Sequence, residues 1–485
     1  DMGNIVRIIF NNLDTSKAID MSEMFSGCIK ITALPTQQMN TKNVTNMYNM
    51  FNNCLELVSI SVSNFDTTNV TNMSGMFAIG GVNVNYYTQP KIEYINGFEN
   101  LNTANVTDMS NLFKGCKTLK SINLNNINTN NVTNMASMFE YCSALTSINL
   151  SRFNTSKVTD MNHMFSCCMG ISNFDLRTII TDNVRDISWM FSACHQITSI
   201  DVSRFNTNNV TNISGLFSAC ENLRSIDLTN FNTSNVTDMS YLFNSCDKIS
   251  NINISTFNTS NVTNMERMFA GCYILKNINL NNFNTSNVKR MNNMFTACKQ
   301  LEYLDLSHFD TRNVKSYFSM FRMCHNLTGN ITIMTEGLKY TDTEHAGIGA
   351  MFAECSRDSG RFTVNYISDA TRLSAEECVK TAKYTNNVML GTKKPEPSRI
   401  TIKDFFILRD FTLPGNEKDS INDTVLDQNQ ESIQTYNQSV NPNNTSKPVK
   451  LTLINGPSAQ YPKQVMQITN NKIPNLNAPD LNPLY

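Results

Sequence analysis

Charged side chains are scarce in this sequence, and the few that occur nearly cancel. They make up 16% of the 485 residues, below the quarter that is usual in globular proteins, and the formal net charge is −1. Proteins that bind nucleic acid neutralise phosphates with a surplus of lysine and arginine, which this chain lacks. The composition therefore argues against nucleic acid as a partner.

Long apolar runs are also missing. No stretch is long enough to cross a bilayer, so we expect no transmembrane segment. No N-terminal segment reads as a signal peptide, yet the chain starts inside a repeat, with Ile5, Ile8, Phe10 and Leu13 at repeat positions. We therefore expect that an upstream part, which could have carried an export or anchoring signal, was removed.

Motifs that carry chemistry are few. There is no glycine-rich phosphate loop, and the five histidines show neither metal-ligand nor triad spacing. His195 follows Cys194, which is the one arrangement that suggests a Cys–His nucleophile, but an isolated histidine is usually a bystander. Trp189, the single tryptophan, is interpreted as a packing residue. We expect no catalytic residues, no cofactor and no metal, and hence no enzyme.

What the sequence does contain is a period of 26 residues. Nine cysteines follow it without exception: Cys116, Cys142, Cys168, Cys194, Cys220, Cys246, Cys272, Cys298 and Cys324. Cys28 and Cys54 share the spacing, the register expands between Phe77 and Thr103, and Cys355 arrives late. This regularity predicts a repeat protein of about thirteen units.

The apolar positions within each unit predict how it folds. Leu145, Ile148, Leu150 and Phe153 have the spacing of a leucine-rich-repeat strand, and the alternation around Ile148 directs apolar side chains inward. Val158 and Met161 mark a second inward segment. Met164 and Phe165 then fit a single helical or 3₁₀ turn leading to Cys168. A single unit cannot close a core, so stacking is required.

We therefore predict an α/β repeat fold that is mostly β. It would be a leucine-rich-repeat solenoid of about thirteen 26-residue coils, with a C-terminal cap and an extended tail. The predicted boundaries are 1–330 for the solenoid, 331–392 for a degenerate last coil and cap, and 393–485 for a linker and partner-binding tail. In the cap, "SAEECVKTAKY" predicts a short helix with Ser374 and Glu377 as its capping box.

Two motifs resemble a known family. "NVTDMSxLFxxC" at Asn235–Cys246 and "LxSINLSxFNTSxVT" at Leu145–Thr159 are similar to the repeat of BspA-like leucine-rich-repeat surface proteins. The resemblance covers residues 5–355 and implies a non-catalytic solenoid displayed on a surface and assigned to adhesion or host contact. Such repeats also occur in large DNA viruses. The chain departs from the family's surface lipoproteins because it has no visible lipid-attachment signal and its last 90 residues lack the repeat.

The cysteine column is interpreted as structural. Equivalent residues in stacked strands lie about 4.8 Å apart with parallel Cα–Cβ bonds. A disulfide needs Cβ atoms about 3.8 Å apart and turned toward each other. One ligand per coil in a straight line also makes no tetrahedral metal site. We expect buried free thiols, assembled in a reducing cytoplasm. Cys167 is the exception: we expect it to face outward and to be the most reactive thiol.

Polar columns surround this core. Thr155 and its equivalents in other repeats are expected to bond turn backbone groups. The N-x-S/T sequons, such as Asn235, come from the same repeated turn, so burial there would prevent glycosylation.

The outward strand positions form the predicted concave binding face. The candidate residues on it are Asp175, Asp201, Asp227, Tyr303 and Asp305. The three consecutive aspartates could hold a hard cation, although a solvated acidic face is the simpler explanation. Repulsion between them is expected to raise the pKa of one carboxyl.

Two hypotheses of function follow. The first is a surface or scaffold protein that binds a protein or glycan, as in adhesion, and is anchored in a larger assembly by its tail. The alternative is an architectural coat or surface protein of a large virion or similar particle. The expected location is a cell or particle surface, or a virion assembled in the cytoplasm.

Overall fold

A computed structural model describes most of the repeat region. The residues described are 2–11, 13–80, 90–339, 347–358, 360–382 and 387–395, followed by five short strands within 399–468. The chain divides into two compact units, Asp1–Lys393 and Lys394–Tyr485. The finer boundaries at residues 330 and 392 remain predictions.

Among the described residues of the first unit, the regular structure consists of short parallel strands, one α-helix and three 3₁₀ turns. The strands are β1 (Ser59–Ser61), β2 (Tyr94–Asn96), β3 (Ser225–Asp227), β4 (Asn251–Asn253), β5 (Tyr303–Leu306), β6 (Thr328–Ile333), β7 (Phe362–Tyr366) and β8 (Val388–Lys393). The helix α1 spans Asp369–Lys380, and 3₁₀ turns span Met2–Asn4, Thr36–Gln38 and Phe98–Asn100. β1 pairs with β2, β3 pairs with β4, and β5 to β8 form one sheet, all in parallel.

Apart from Lys394 and Pro395, the second unit is described only by its strands. These are β9 (Arg399–Thr401), β10 (Val425–Asp427), β11 (Thr435–Asn437), β12 (Lys450–Gly456) and β13 (Lys463–Ile468). β9 pairs with β10, and β11, β12 and β13 form a second sheet, both antiparallel. The remainder of the predicted partner-binding tail, 393–485, lies outside the described residues.

The most regular contact between repeats is a ladder on the turn side. Equivalent residues of successive repeats form parallel bridges, beginning with Asp20 and Asn46 and ending with Ser316 and Gly347. The paired residues are 26 positions apart, except where the longer repeats place Asn72 against Asp108 and Ser316 against Gly347. Alternate N–H groups of one repeat donate to carbonyls of the next, as from Met21 to Asn46 at 3.0 Å. This ladder lies in the segment around Val158 and Met161 that was predicted to be the second inward segment of each repeat. It joins the repeats into a mostly β array that is compatible with a solenoid.

The predicted leucine-rich-repeat strand is less regular. Between β2 and β3, a stretch that the structure describes throughout, these positions do not form regular strands. Ile122 and Ile148 there are only partly buried against the core. The reason is that the turn ladder already supplies the backbone hydrogen bonds between repeats, so pairing on the strand side is not required at every step.

Phenylalanine rings stack along the core. Phe113, Phe139, Phe165 and Phe191 lie one repeat apart, with ring centroids separated by 5.4, 5.9 and 5.9 Å and nearly parallel planes. Each ring is completely buried. Stacked aromatic pairs of this kind add about 0.5–1.5 kcal/mol beyond their area burial. The column therefore holds successive repeats in register.

The segment predicted as a helical turn has a different backbone. Met164 and Ser166 N–H groups donate three residues back, but His163 and Cys167 have φ of 55° and 59°. Two left-handed residues per repeat are incompatible with a helix. The conformation is stabilised from the next repeat, because His163 N–H donates to Ser188 O at 2.8 Å.

All fourteen cysteines are buried and unpaired. From Cys116 to Cys324, each Sγ–H of the repeat column donates to a phenylalanine carbonyl of the preceding repeat, as from Cys142 to Phe113 at 3.2 Å. The expectation that Cys167 faces outward is wrong, since only 9% of the residue is exposed. Its backbone is left-handed, and its Sγ accepts a hydrogen bond from Ser166 Oγ at 3.8 Å.

Threonine and asparagine ladders bind the turns together. Thr155 Oγ1 donates to Ile180 O at 2.7 Å and accepts from Ile180 N–H at 2.6 Å. Asn235 Nδ2 donates to Asn208 O, one repeat earlier, at 2.7 Å. Asn235 is nevertheless exposed, so the burial that was expected to prevent glycosylation is not found there; its amide is engaged in a structural hydrogen bond instead.

The helix α1 packs against β6, β7 and β8. It begins earlier than predicted, because Ser368 is the N-cap and forms a capping box with Thr371. Ser374, the predicted cap, is instead buried within the helix and accepts a hydrogen bond from Leu338 N–H at 3.2 Å. Among the described residues, no helix is both long and apolar enough to span a membrane.

Candidate binding surfaces

The strand face carries the residues predicted as a binding site. Asp227 ends β3, and Tyr303 and Asp305 lie in β5. Asp175 and Asp201 occupy the equivalent positions in repeats without regular strands. The three aspartates 175, 201 and 227 are exposed, Asp305 is half-buried, and Tyr303 is 55% exposed. The structure thus places all five side chains on the strand face: the four aspartates occupy equivalent positions in separate repeats, and Tyr303 lies two residues before Asp305 in the same strand.

Each of the three exposed carboxylates accepts a hydrogen bond from the residue two positions later in its own turn. Asp201 accepts from Ser203 N–H and Asp227 from Thr229 N–H, both at 3.0 Å. These hydrogen bonds lower the pKa of both carboxyls. The Arg177 guanidinium lowers the pKa of Asp175 to about 2. The expected rise in a carboxyl pKa is therefore wrong, because local hydrogen bonds outweigh repulsion between repeats.

Hydrogen bonds also lower the pKa of Asp305, although this side chain is less exposed. Burial raises its pKa, but hydrogen bonds from Ser307 N–H at 2.9 Å and Asn330 Nδ2 at 3.0 Å reverse the effect. The net pKa is lowered, so the side chain is a carboxylate at neutral pH. Across the described part of the chain, no cluster of histidine, cysteine or acidic residues has the arrangement of a metal site.

A shallow depression of about 540 Å³ lies on the strand face, beside Tyr303. It opens where β4 has no strand partner in the next repeat, and Asn277 on its rim bridges to Tyr303. The lining residues are Ser250, Asn251, Ile274, Lys276, Asn277 and Gln300. Lys276 is paired with Glu302 at 3.3 Å. Hydroxyl, amide and ammonium groups around one apolar side chain offer both donors and acceptors to a polar ligand.

A second surface feature, which sequence reasoning missed, is an aromatic column on the turn side. The His163 ring stacks on Trp189 at 6.0 Å, and Tyr241 contacts the other side of Trp189 at 5.5 Å. Gly215 occupies the equivalent position in the repeat between Trp189 and Tyr241, and a Cβ added there would come within 2.3 Å of the indole. Arg267 completes the column over Tyr241 at 5.7 Å. The 26-residue spacing of these positions was a signal that could have revealed it.

This column is built for packing. Both sides of the Trp189 ring are covered by neighbours along the stack, which leaves its edge as the accessible part. Glu140, only 7% exposed, binds Lys114 at 2.8 Å and lies 3.7 Å from His163 Nδ1. Burial lowers the pKa of His163, and Glu140 opposes this. The interpretation of Trp189 as a packing residue fits these contacts.

The thiols are in the wrong protonation state for nucleophilic catalysis. Burial raises the pKa of Cys116, Cys220 and Cys298 to about 12 and that of Cys194 well above its ordinary value. Cys194 Sγ–H donates to the Phe165 carbonyl at 3.3 Å, which directs the proton into the core. A reactive cysteine requires a lowered pKa instead.

Comparison with known proteins is consistent with this repeated structure. No curated protein and no solved structure matches the chain. One family model matches repeatedly and in tandem, at residues 3–85, 82–200, 159–255, 185–279 and 246–361. The prediction of a repeat protein is thereby confirmed. Since the matches cover most of the 485 residues, the chain belongs to the family described as Mycoplasma protein of unknown function, DUF285.

Proposed function

We propose that this protein is a non-catalytic repeat scaffold that binds a protein or glycan partner through its strand face. The observation that carries the proposal is the polar depression beside Tyr303. Tyrosine combines a broad apolar ring with a hydrogen-bonding tip and is enriched at binding sites. The amide, hydroxyl and ammonium groups around it suit the hydroxyl-rich surface of a glycan, as would be needed for adhesion at a cell or particle surface.

The proposed architecture is a BspA-like leucine-rich-repeat solenoid of about thirteen coils. In its support, the apolar spacing recurs through the tandem family matches, and successive repeats are hydrogen-bonded in parallel. The helix α1 would serve as the C-terminal cap, since it packs against the last three strands of the unit. Residues 393–485 would anchor the scaffold in a larger assembly.

Binding to immobilised glycans and host surface proteins tests the proposal. Tyr303→Ala should reduce binding at least tenfold, because the ring is the largest exposed apolar group beside the depression. Tyr94→Ala is the matched control, since Tyr94 is 43% exposed at the first position of β2 on the same face. Equal retention of binding by both variants would exclude the depression as the site.

The second proposal is an architectural role in a virion or similar particle. Fourteen buried, unpaired cysteines suit assembly in a reducing cytoplasm more readily than oxidative secretion. Recovery in fixed stoichiometry with coat proteins, together with protection of the 393–485 tail from protease in the particle, would favour this role. The role would be contradicted if the protein were recovered only at a cell surface and protease cut the tail equally in the free protein and in its native location.

A further inference from the structure

The ladder on the turn side repeats two side-chain hydrogen bonds. In ten successive repeats the ladder residue is Asp or Asn, and its Oδ1 accepts from the N–H group two residues later, as Asp238 does from Ser240 at 2.8 Å. In eight repeats the residue before it is a threonine whose Oγ1 donates to a carbonyl of the preceding repeat, as Thr237 does to Thr211 O at 3.3 Å. The protein itself thus satisfies these groups of the turn.

Three exposed cations interrupt this pattern. Lys289 and Lys315 stand in the threonine column, and Arg290 stands in the column of Asp and Asn. Lys315 N–H donates to Lys289 O at 2.9 Å, so the two lysines lie in neighbouring repeats, where their charges repel each other. None of the three cations forms an ion pair with a described residue. Because natural sequences break such local regularities mainly at functional sites, these cations indicate an anionic partner.

Two equivalent asparagines show what the change to arginine does to the turn. Asn162 donates from both its N–H and its Nδ2 to Asp160 Oδ1, at 2.9 and 2.5 Å. Asn292 stands at the same place after Arg290, whose side chain offers no acceptor. Asn292 is only 1% exposed, its amide atoms have no hydrogen-bond partner, and its N–H donates to no described residue. Buried donors are normally paired, so this turn has two donors for an oxygen that its own repeat does not supply.

The other repeats indicate the chemistry of that oxygen. In the repeat of Asp160 it belongs to a carboxylate, so the turn accommodates an anionic oxygen. A ligand oxygen at this place would accept from Asn292 and pair with the Arg290 guanidinium, with the Lys289 and Lys315 ammonium groups beside it. Sulfate and phosphate groups carry several oxygens and form strong charge-assisted hydrogen bonds with such donors. The donor set therefore fits a group of this class.

The surroundings of the three cations favour a sugar chain as the carrier of the group. The same ladder holds Asp160, Asp186 and Asp238, which an anionic membrane surface would repel. Nucleic acid is disfavoured by the lack of surplus positive charge in the chain. Thr237 and Asn261, in the neighbouring repeats, are exposed and offer donors and acceptors to sugar hydroxyls.

We propose that the turn at Arg290 binds a sulfate group of a sulfated glycan. One sulfate oxygen accepts from the Asn292 donors, and Lys289 and Lys315 pair with the same sulfate or with the next one along the glycan. The site lies on the turn side and does not depend on the depression of the strand face, so either can fail without the other.

The probe is a heparin oligosaccharide of defined length, titrated calorimetrically into the 485-residue chain. Arg290→Asp removes one cation and restores the acceptor that the other turns contain. It should weaken binding at least about tenfold and also raise the thermal midpoint, so that lost binding cannot be attributed to unfolding. Lys289→Thr, which restores the threonine column, should weaken binding as well. Arg185→Thr is the matched control, because Arg185 stands in the same column but Asp186 already accepts from Ser188 N–H at 2.8 Å.

A desulfated heparin of the same length keeps its carboxylates and should bind at least about tenfold more weakly than the sulfated form. Binding of the sulfated form should also weaken as salt is added, because the contacts are between exposed charges. Equal affinity of the wild type and Arg290→Asp for heparin would overturn the proposal, as would equal binding of the two heparins. Retention on phosphatidylglycerol vesicles that Arg290→Asp abolishes, without binding to heparin, would assign the site to a lipid headgroup and overturn it as well.

Discussion

The Sγ–H group of Cys168 donates to the backbone carbonyl of Phe139 in the preceding repeat, with Sγ and O 3.3 Å apart. The same relationship recurs along the column, from Cys116 with Phe77 to Cys324 with Phe295. The cysteine therefore fills a small apolar position and gives a buried carbonyl a second hydrogen bond, since Phe139 O also accepts from Cys142 N–H at 3.0 Å.

We predict that Cys168→Ala lowers the free energy of unfolding by about 1–2 kcal/mol, because it leaves a small cavity in the packed core and removes one of the two hydrogen bonds that the buried Phe139 carbonyl accepts. Urea denaturation measures the change. Cys167→Ala is the adjacent control and should change stability by less than about 0.5 kcal/mol, since alanine already occupies the equivalent position at Ala193. Equal losses in both variants would mean that the thiol hydrogen bond is not the cause.

At the left-handed positions of the turns, we predict a substitution that stabilises the protein. Ala219 has φ of 56°, a conformation that costs a residue with a Cβ about 1–2 kcal/mol. Ala219→Gly should stabilise the protein by about 0.5–1 kcal/mol, because glycine's greater freedom in the unfolded chain offsets part of that gain. Ala136 lies in the same kind of turn without a positive φ, so Ala136→Gly should destabilise. A loss of stability in both variants, seen as lower urea midpoints, would contradict this account.

The asparagine ladder can be tested in the same way. Asn235→Ala removes the donor to Asn208 O and should cost about 0.5–1.5 kcal/mol. Asn277 is an exposed asparagine on the strand face whose side chain makes no hydrogen bond with the described residues, so Asn277→Ala serves as the control. If the urea midpoints of the two variants coincided, the hydrogen bond between repeats would not explain why the sequon asparagine recurs.

The sequence predicted the core well because its signals are local to each repeat. Val158 and Met161 were assigned inward and are completely buried. The turn that follows was missed because non-glycine residues such as His163 adopt positive φ only with support from the next repeat. No spacing rule within one unit contains that information. The strand between Ile148 and Leu150 was overestimated for the same reason: pairing depends on neighbouring repeats.

The candidate surfaces were less predictable than the core. Asp175 and Asp201 were correctly placed on the outer face, but the direction of the pKa shift was wrong. The expectation considered repulsion across repeats and omitted the hydrogen bond that each aspartate accepts two residues along its own turn. Tyr303 was identified because of its residue type, whereas the depression beside it arises from missing strand pairing between β4 and the next repeat.

Acidification should loosen the aromatic column at His163. Burial lowers the pKa of His163 below its ordinary 6.5, although Glu140 partly opposes this and Lys114 reinforces it. The unfolded chain therefore binds this proton at a higher pH than the folded protein does. Stability contributed by neutral His163 is complete above about pH 6.5 and is lost as the pH falls below that value, with a slope of at most one proton.

Trp189, the only tryptophan, reports this change directly, since the His163 ring stacks on it at 6.0 Å. Urea midpoints and indole fluorescence are measured between about pH 5 and pH 7.5. His163→Gln is the control: it removes the titrating group, so its stability should vary less with pH than that of the wild type. The same pH slope in both proteins would assign the effect to carboxylates elsewhere. A smaller slope in the variant, with loss of the fluorescence transition, would show that the column responds to one histidine.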